Sequence, residues 1–141
     1  MKIVVAAVAD HAWVENGCLS ISRTFDTIRA PAFPFTVSRL SVGLRLLIRR
    51  SEAGKHALNV SMVDPDGKKM MNSDINIDFN PPEGAMPESS FSFALNGQNF
   101  IFPQPGDYAI DIIIDGRVEA SIPIYARQTP GAEKPDIPDR I

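Results

Sequence analysis

Apolar and polar residues alternate along much of this chain with a period of two, which is the spacing of a β-strand with one buried face. The longest alternation covers residues 39–50. Its predicted inward side chains are those of Leu40, Val42, Leu44, Leu46 and Ile48. Its predicted outward residues are Arg39, Ser41, Gly43, Arg45, Leu47 and Arg49. The pattern therefore predicts a half-buried strand whose outer face is basic.

Before this strand, the pattern is less regular. Residues 2–9 are apolar at nearly every position, which is typical of a strand in the middle of a sheet, and residues 10–17 are predicted to be a loop. In residues 18–28, Arg23 falls on the apolar alternation and would point into the core. We expect a bulge near Ser22–Arg23 to turn the guanidinium outward.

Prolines and aromatic residues mark the connections. Residues 29–38 contain Pro31 and Pro34 beside two phenylalanines, so this segment is expected to cross between two sheets with its rings packed inward. Asp64–Gly67 predicts a hairpin turn, because Pro65 presets its backbone angle and Gly67 accepts a positive φ. Asn96–Gly97 predicts a further turn that separates two short strands.

The last hairpin allows a prediction of register. A two-residue turn at Asp115–Gly116 with regular pairing would place Glu119 in the core, so an extra residue in the loop or a bulge is required. We favour the odd-length loop. It predicts four cross-strand pairs, which are Ile114–Val118, Ile112–Ala120, Ile110–Ile122 and Tyr108–Ile124.

These segments predict one domain, a single antiparallel β-sandwich of about eight strands, immunoglobulin-like or jelly-roll-like, over residues 1–126. Gly106 stands two places before Tyr108 at a strand start, which resembles the tyrosine corner of immunoglobulin-like sandwiches. The remaining residues, 127–141, are rich in proline and charge and are expected to be a disordered tail.

Composition narrows the class of protein. The chain has 141 residues and a net charge of -3, which argues against general affinity for nucleic acid or an anionic membrane surface. No apolar run approaches the roughly 20 residues of a membrane-spanning helix. The single Cys18 excludes an internal disulfide and is compatible with a cytoplasmic location.

Several short segments, taken in order, resemble a family of small bacterial proteins of unknown function. They are Ala9–Ala12, Leu19–Ile21, Phe25–Ile28, Ala30–Pro31, Phe33–Pro34, Val63–Gly67, Pro103–Tyr108 and Asp115–Gly116. The resemblance implies a β-sandwich and implies no activity. Arg23 departs from the small residue expected at its place.

Residues that could carry chemistry are few. Asp10 and His11, with Cys18 and Asp26 nearby in the chain, could assemble a hydrolase site, although a turn is the commoner role of such a pair. Asp64–Gly67 resembles the start of a calcium loop, but lysines follow it, so no metal and no cofactor are predicted. The other histidine, His56, is expected to be solvated.

Partner contacts are the remaining possibility. The candidate contact residues are Asp10, His11, Trp13, Arg39, Arg45 and Arg49. We expect a non-catalytic protein-binding or assembly module that contacts another protein, or a copy of itself, through an edge strand or the tail. The alternatives are a small-molecule or carbohydrate-binding sandwich that uses Trp13, and a hydrolase that uses Asp10 and His11.

Overall fold

The computed structural model describes residues 1–81, 84 and 86–129. Over these residues, nine strands form two packed sheets, which confirms the predicted β-sandwich. The strands are β1 Lys2–Glu15, β2 Cys18–Thr24, β3 Thr27–Ala30, β4 Phe35–Arg49, β5 Gly54–Val63, β6 Lys69–Phe79, β7 Glu88–Phe102, β8 Gly106–Ile114 and β9 Arg117–Gln128. A 3₁₀ turn, Arg50–Glu52, lies between β4 and β5.

The strand order is β2-β1-β4-β7 in one sheet and β3-β9-β8-β5-β6 in the other. All neighbouring strands are antiparallel except β3 and β9, which pair in parallel from Thr27↔Tyr125 to Ala30↔Gln128. The predicted antiparallel sandwich therefore contains one parallel pair. Parallel pairing is possible here because almost the whole chain separates β3 from β9, so no tight turn dictates their directions.

The core lies where β4 faces β5 and β8. All five predicted inward side chains of β4 are buried, as are Leu58, Val60 and Met62 of β5 and Tyr108, Ile110, Ile112 and Ile114 of β8. Removing these side chains from water is the main stabilising term of the fold, at about 25 cal/mol for each Å² of apolar surface.

The first strand is longer than predicted. It comes between β2 and β4 in the strand order, but residues 2–9 pair with β4 and residues 9–15 with β2, so the expected place in the middle of a sheet is met only at Ala9. The strand continues through Glu15. The predicted loop over residues 10–17 is wrong, because β1 pairs with β2 as far as Glu15↔Cys18 and Asn16–Gly17 form a tight turn. Asn16 and Gly17 have φ values of 51° and 74°, as a two-residue hairpin with a primed turn requires.

Arg23 is exposed, but not through the expected bulge. The β1–β2 pairing keeps one register from Ala9↔Thr24 to His11↔Ser22, on either side of Arg23. Arg23 instead has a left-handed backbone within β2, with φ of 61°, and its side chain is exposed. The predicted crossing between sheets follows, and there Phe33 and Phe35 pack against the core as expected.

The β8–β9 hairpin solves its register problem by a bulge. Asp115 and Gly116 both have positive φ, so they form a two-residue turn that pairs Ile114 with Arg117. The predicted odd-length loop and the Ile114–Val118 pair are wrong. A shift between Ile112 and Ile113 then restores the three other predicted pairs, and Glu119 stays exposed.

A tyrosine corner is present at the start of β8. The hydroxyl of Tyr108 donates to the carbonyl oxygen of Gln104 at 2.6 Å, and its ring meets Phe102 edge to face. Gly106 has φ of 154°, and a Cβ there would lie 2.5 Å from Cγ of Pro65. Only glycine allows this close approach, which joins the β5–β6 turn to the tyrosine corner.

The last strand runs two residues past the predicted domain boundary, to Gln128. The amide of Thr129 donates to the carbonyl oxygen of Ala30 at 2.9 Å, and Gln128 Nε2 donates to that of Pro31 at 3.1 Å. The rest of the predicted disordered tail, residues 130–141, lies outside the described residues.

Replacing Tyr108 with phenylalanine should lower the free energy of unfolding by about 1–2 kcal/mol, because the carbonyl of Gln104 loses its hydroxyl donor. Urea denaturation measures this difference. Tyr125→Phe is the matched control, since its half-buried hydroxyl bonds to none of the residues that the structure describes. Equal losses in the two variants would contradict the role of the corner.

Candidate functional site

The second half of β1, the Asn16–Gly17 turn and β2 form a hairpin that we call the flap, residues 10–24. The flap folds over the outer face of the four-stranded sheet. Ala12 and Asn96 exchange two hydrogen bonds, from the Ala12 amide to Oδ1 at 3.4 Å and from Nδ2 to the Ala12 carbonyl at 3.0 Å. At the flap turn, Ser92 Oγ donates to the carbonyl oxygen of Gly17 at 3.1 Å. The flap therefore overlies β7.

Small residues on β4 make room for the flap. A Cβ at Gly43 would lie 3.0 Å from two side-chain carbons of Ile21 and 3.4 Å from Cδ1 of Leu19. Ser41 is buried, and its hydroxyl lies 3.2 Å from the carbonyl oxygen of Asp10 and 2.5 Å from Oδ1 of Asn96. Ser41 and Gly43 do point outward, as predicted, but the flap covers them.

The sequence pattern indicated neither a structural role for Asn96 nor the long strand that contains it. The predicted turn at Asn96–Gly97 is wrong, because β7 runs without a break through both residues and pairs with β4 from Arg49↔Glu88 to Phe35↔Phe102. An Asn–Gly dipeptide is a strong turn signal, but here the side chain of Asn96 binds the flap instead.

Trp13 and His11 lie on the flap, in a strand and not in the predicted loop. Their rings stack with centroids 5.1 Å apart and an angle of 25°, and Trp13 is 39% exposed. Asp10 and His11 are consecutive strand residues, so their side chains point to opposite faces of the strand. This arrangement separates the two groups named for a hydrolase. Cys18 is exposed at the flap turn.

The three candidate arginines lie along the outer face of β4 without forming one surface. Arg39 and Arg49 are exposed and Arg45 is half-buried. The flap covers Ser41 and Gly43, so it separates Arg39 from the other two. Glu88 stands opposite Arg49 on β7, which reduces the positive charge at that end.

One edge of the sandwich differs from the others in the described part of the chain. The edge strands β2 and β3 have only 7 and 4 residues, and β6 has 11 residues with three charges, at Lys69, Asp74 and Asp78. The edge strand β7 has 15 residues and no charge from 89 to 102. Short strands and charges are the usual protection of sheet edges, so β7 is the least protected edge.

Apolar side chains border this edge on the core side. Phe91, Phe93 and Leu95 lie opposite the buried Leu46, Leu44 and Val42 of β4 and so face the interior. Phe91 nevertheless remains 38% exposed, with its ring centroid 4.5 Å from that of Phe93. The β7 edge thus lies between the flap on its outer face and an open aromatic rim on its inner face.

A second cluster lies at the start of β5. His56 Nδ1 is 2.7 Å from Oδ2 of Asp115, and Nε2 is 2.6 Å from the carbonyl oxygen of Glu52. Both partners are acceptors, so both ring nitrogens must donate and the ring is an imidazolium. The side chain of His56 is 15% exposed, so the expectation of a solvated histidine is wrong. The β5–β8 pairing brings Asp115 to it, which sequence spacing did not reveal.

Protonation states in this cluster follow from its hydrogen bonds. The bond to Asp115 raises the pKa of His56, and the same bond lowers the pKa of Asp115. The amino group of Met1 contacts the carboxylate of Glu52 and lowers its pKa. The cluster therefore joins β1, the 3₁₀ turn, β5 and the β8–β9 turn through charged hydrogen bonds.

Comparison with family models identifies one match over most of the sandwich. The model of a family of unknown function, DUF6941, matches residues 4–127. The chain belongs to this family. Comparison with curated proteins gives no match.

The match spans the flap, β7 and, of the second cluster, Glu52, His56 and Asp115. Two further observations concern the described residues alone. No group of three or more histidine, cysteine, aspartate or glutamate side chains there is placed to hold a metal ion. Asp64 Oδ1 instead accepts hydrogen bonds from the amides of Asp66 and Lys68, at 2.9 and 2.8 Å, as part of the predicted turn.

No helix among the described residues has the length and apolar character to cross a membrane.

Replacing Gly43 with valine should lower the free energy of unfolding by about 1–3 kcal/mol, because the new Cβ collides with Ile21 beneath the flap. Hydrogen exchange at the Ala12 amide should accelerate as the flap loosens. In the Gly43→Val background, Ile21→Ala should lower the free energy of unfolding by less than it does in the wild type. The difference between the two losses, which is the coupling free energy, should be at least about 0.5 kcal/mol. Additive losses would contradict the proposed collision.

The stability of the protein should depend on pH through His56 and Asp115. The pKa of His56 is above its ordinary 6.5 in the folded state, so its contribution is complete below pH 6.5 and is lost as pH rises through the folded pKa. The pKa of Asp115 is below its ordinary 3.8, so its contribution is present above that pH and is lost on acidification through the folded pKa.

Urea denaturation from pH 4 to 9 tests this dependence. The stability difference between wild type and Asp115→Asn should be largest between about pH 4 and 6.5 and should shrink at higher pH. Asp78→Asn is the control, because this carboxylate lines a cavity together with His56 and Asp115 but accepts its hydrogen bond from Asn80. A difference that is constant with pH would show that the imidazolium is not maintained.

Proposed function

We propose that this protein is a non-catalytic protein-binding module, and that it binds by adding a strand of its partner to the free edge of β7. A sheet edge presents a row of main-chain donors and acceptors that an extended partner segment can pair with. The observation that supports the proposal is the length and neutrality of β7, an edge strand of 15 residues with no charge over residues 89–102.

The surroundings of the edge favour recognition of a strand. In strand addition, main-chain hydrogen bonds provide affinity, and side chains that point alternately to the two faces provide specificity. On the outer face, the partner would lie beside the flap where Ser92 and Asn96 hold it. On the inner face, it would meet the exposed ring of Phe91. The partner strand would therefore need small side chains on the outer face and apolar side chains on the inner face.

The flap supports this function by keeping the edge rigid. Three of its contacts to the sheet go to Asn96 and Ser92, both of which are in β7. A strand fixed in its extended form loses little conformational entropy when a partner pairs with it. The separation of Asp10 from His11 on the two faces of β1 favours this binding role over a hydrolase.

The test is a photo-activated cross-linking residue placed at Ser90, on the β7 edge, and separately at Asn76, on the β6 edge. Both positions are exposed in edge strands, so they differ only in the edge that they report. In the cells that make the protein, Ser90 should give a discrete protein adduct that Asn76 does not give. Mass spectrometry identifies the attached protein. Equal or absent labelling at Ser90 would overturn the proposal.

A further inference from the structure

We infer that the strand added to β7 comes from a second copy of this chain, with two β7 strands antiparallel about a twofold axis. This inference rests on the proposed function, since it names the partner of the same edge. The result would be one continuous eight-stranded sheet, because each copy contributes the four strands β2-β1-β4-β7. A twofold interface of this kind is closed and self-complementary.

The absence of charge over residues 89–102 of β7 favours a neutral partner. Pairing two copies about an axis beside Phe93 brings together residues 89–97 of each, none of which is charged, so it opposes no like charges in that segment. The C-terminal segment of the same chain is a poorer occupant. Its sequence contains three prolines, at 130, 135 and 138, which cannot donate to a strand ladder, together with five charges, at Glu133, Lys134, Asp136, Asp139 and Arg140.

Side-chain alternation in β7 also fits a copy of itself. A twofold axis perpendicular to the sheet keeps inner residues on the inner face and outer residues on the outer face. The inner residues Phe91, Phe93 and Leu95 would then extend the apolar rim of one copy into that of the other. The outer residues Ser90, Ser92 and Ala94 are small, which suits a face that the flap overlies.

The exposed ring of Phe91 locates the axis. An axis beside Phe93 places Phe93 opposite its copy and Phe91 opposite Leu95 of the second copy. Aromatic and aliphatic cross-strand pairs each contribute about 0.2–1 kcal/mol relative to alanine pairs. Phe91 is 38% exposed in the single copy, and this register places the exposed ring against the second copy. The twofold symmetry makes the same contact occur once on each side of the axis.

Sedimentation equilibrium of the full chain tests the inference. Wild type should change from the 15.4 kDa monomer to a particle of twice that mass as concentration rises from micromolar to several hundred micromolar. Hydrogen exchange in β7 should slow over the same range. Phe91→Lys places a charge on the inner face of the paired β7 strands and should weaken the association of the two copies at least tenfold.

Val118→Lys is the matched control, because Val118 is 60% exposed and lies in β9, in the other sheet. This substitution should leave the association unchanged. Phe91→Ser keeps the strand neutral and should weaken association less than lysine does, which covers the case that Phe91→Lys fails to fold. Association that survives both Phe91 variants would place the contact elsewhere and overturn the inference.

The outcomes separate this inference from the proposed function. A wild-type mass of 15.4 kDa throughout the concentration range would exclude the second copy. If the Ser90 adduct in cells is then a different protein, strand addition at β7 stands and only the identity of the partner is wrong. If the Ser90 adduct is absent as well, both proposals fail.

Discussion

The close contact between Ile21 and Gly43 is the constraint on which the arrangement of the four-stranded sheet depends. Because no side chain separates them, the flap can lie directly on the outer face of β4, and its main chain can reach Asn96 and Ser92 of β7. A face that sequence alternation assigns to solvent becomes a second, smaller packed layer. This layer gives Ser41 hydrogen-bonding partners and divides the arginines of β4 into two groups.

Sequence pattern predicted the parts of the fold that depend on burial along a single strand. Leu44 and its neighbours on β4 follow a strict period of two, and such a pattern allows one orientation toward a core. The tyrosine corner was also predictable, since Gly106 and Tyr108 are close in sequence and act locally. The predicted register of β8 and β9 was right beyond the turn, because a misplaced Glu119 carries a large desolvation cost.

Features that depend on distant partners were not predictable from one sequence. Asn96–Gly97 has the composition of a turn, and only its contact with Ala12 of the flap, 84 residues earlier in the chain, explains why Asn96 belongs to a strand. The imidazolium of His56 depends on Asp115, which the pairing of β5 with β8 brings to it. In both cases the missing information is the strand order. The unprotected length of β7 was hidden for the same reason.

The parallel β3–β9 pair determines where the last described residue, Thr129, lies. Thr129 bonds to Ala30 at the end of β3, and β3 borders the sheet on the flank where β1 packs against β9. The strand β7 forms the opposite flank. A fluorophore attached at Thr129 itself would therefore lie on the far side from the β7 edge, which makes that position suitable for labelling the protein without obstructing its pairing edge.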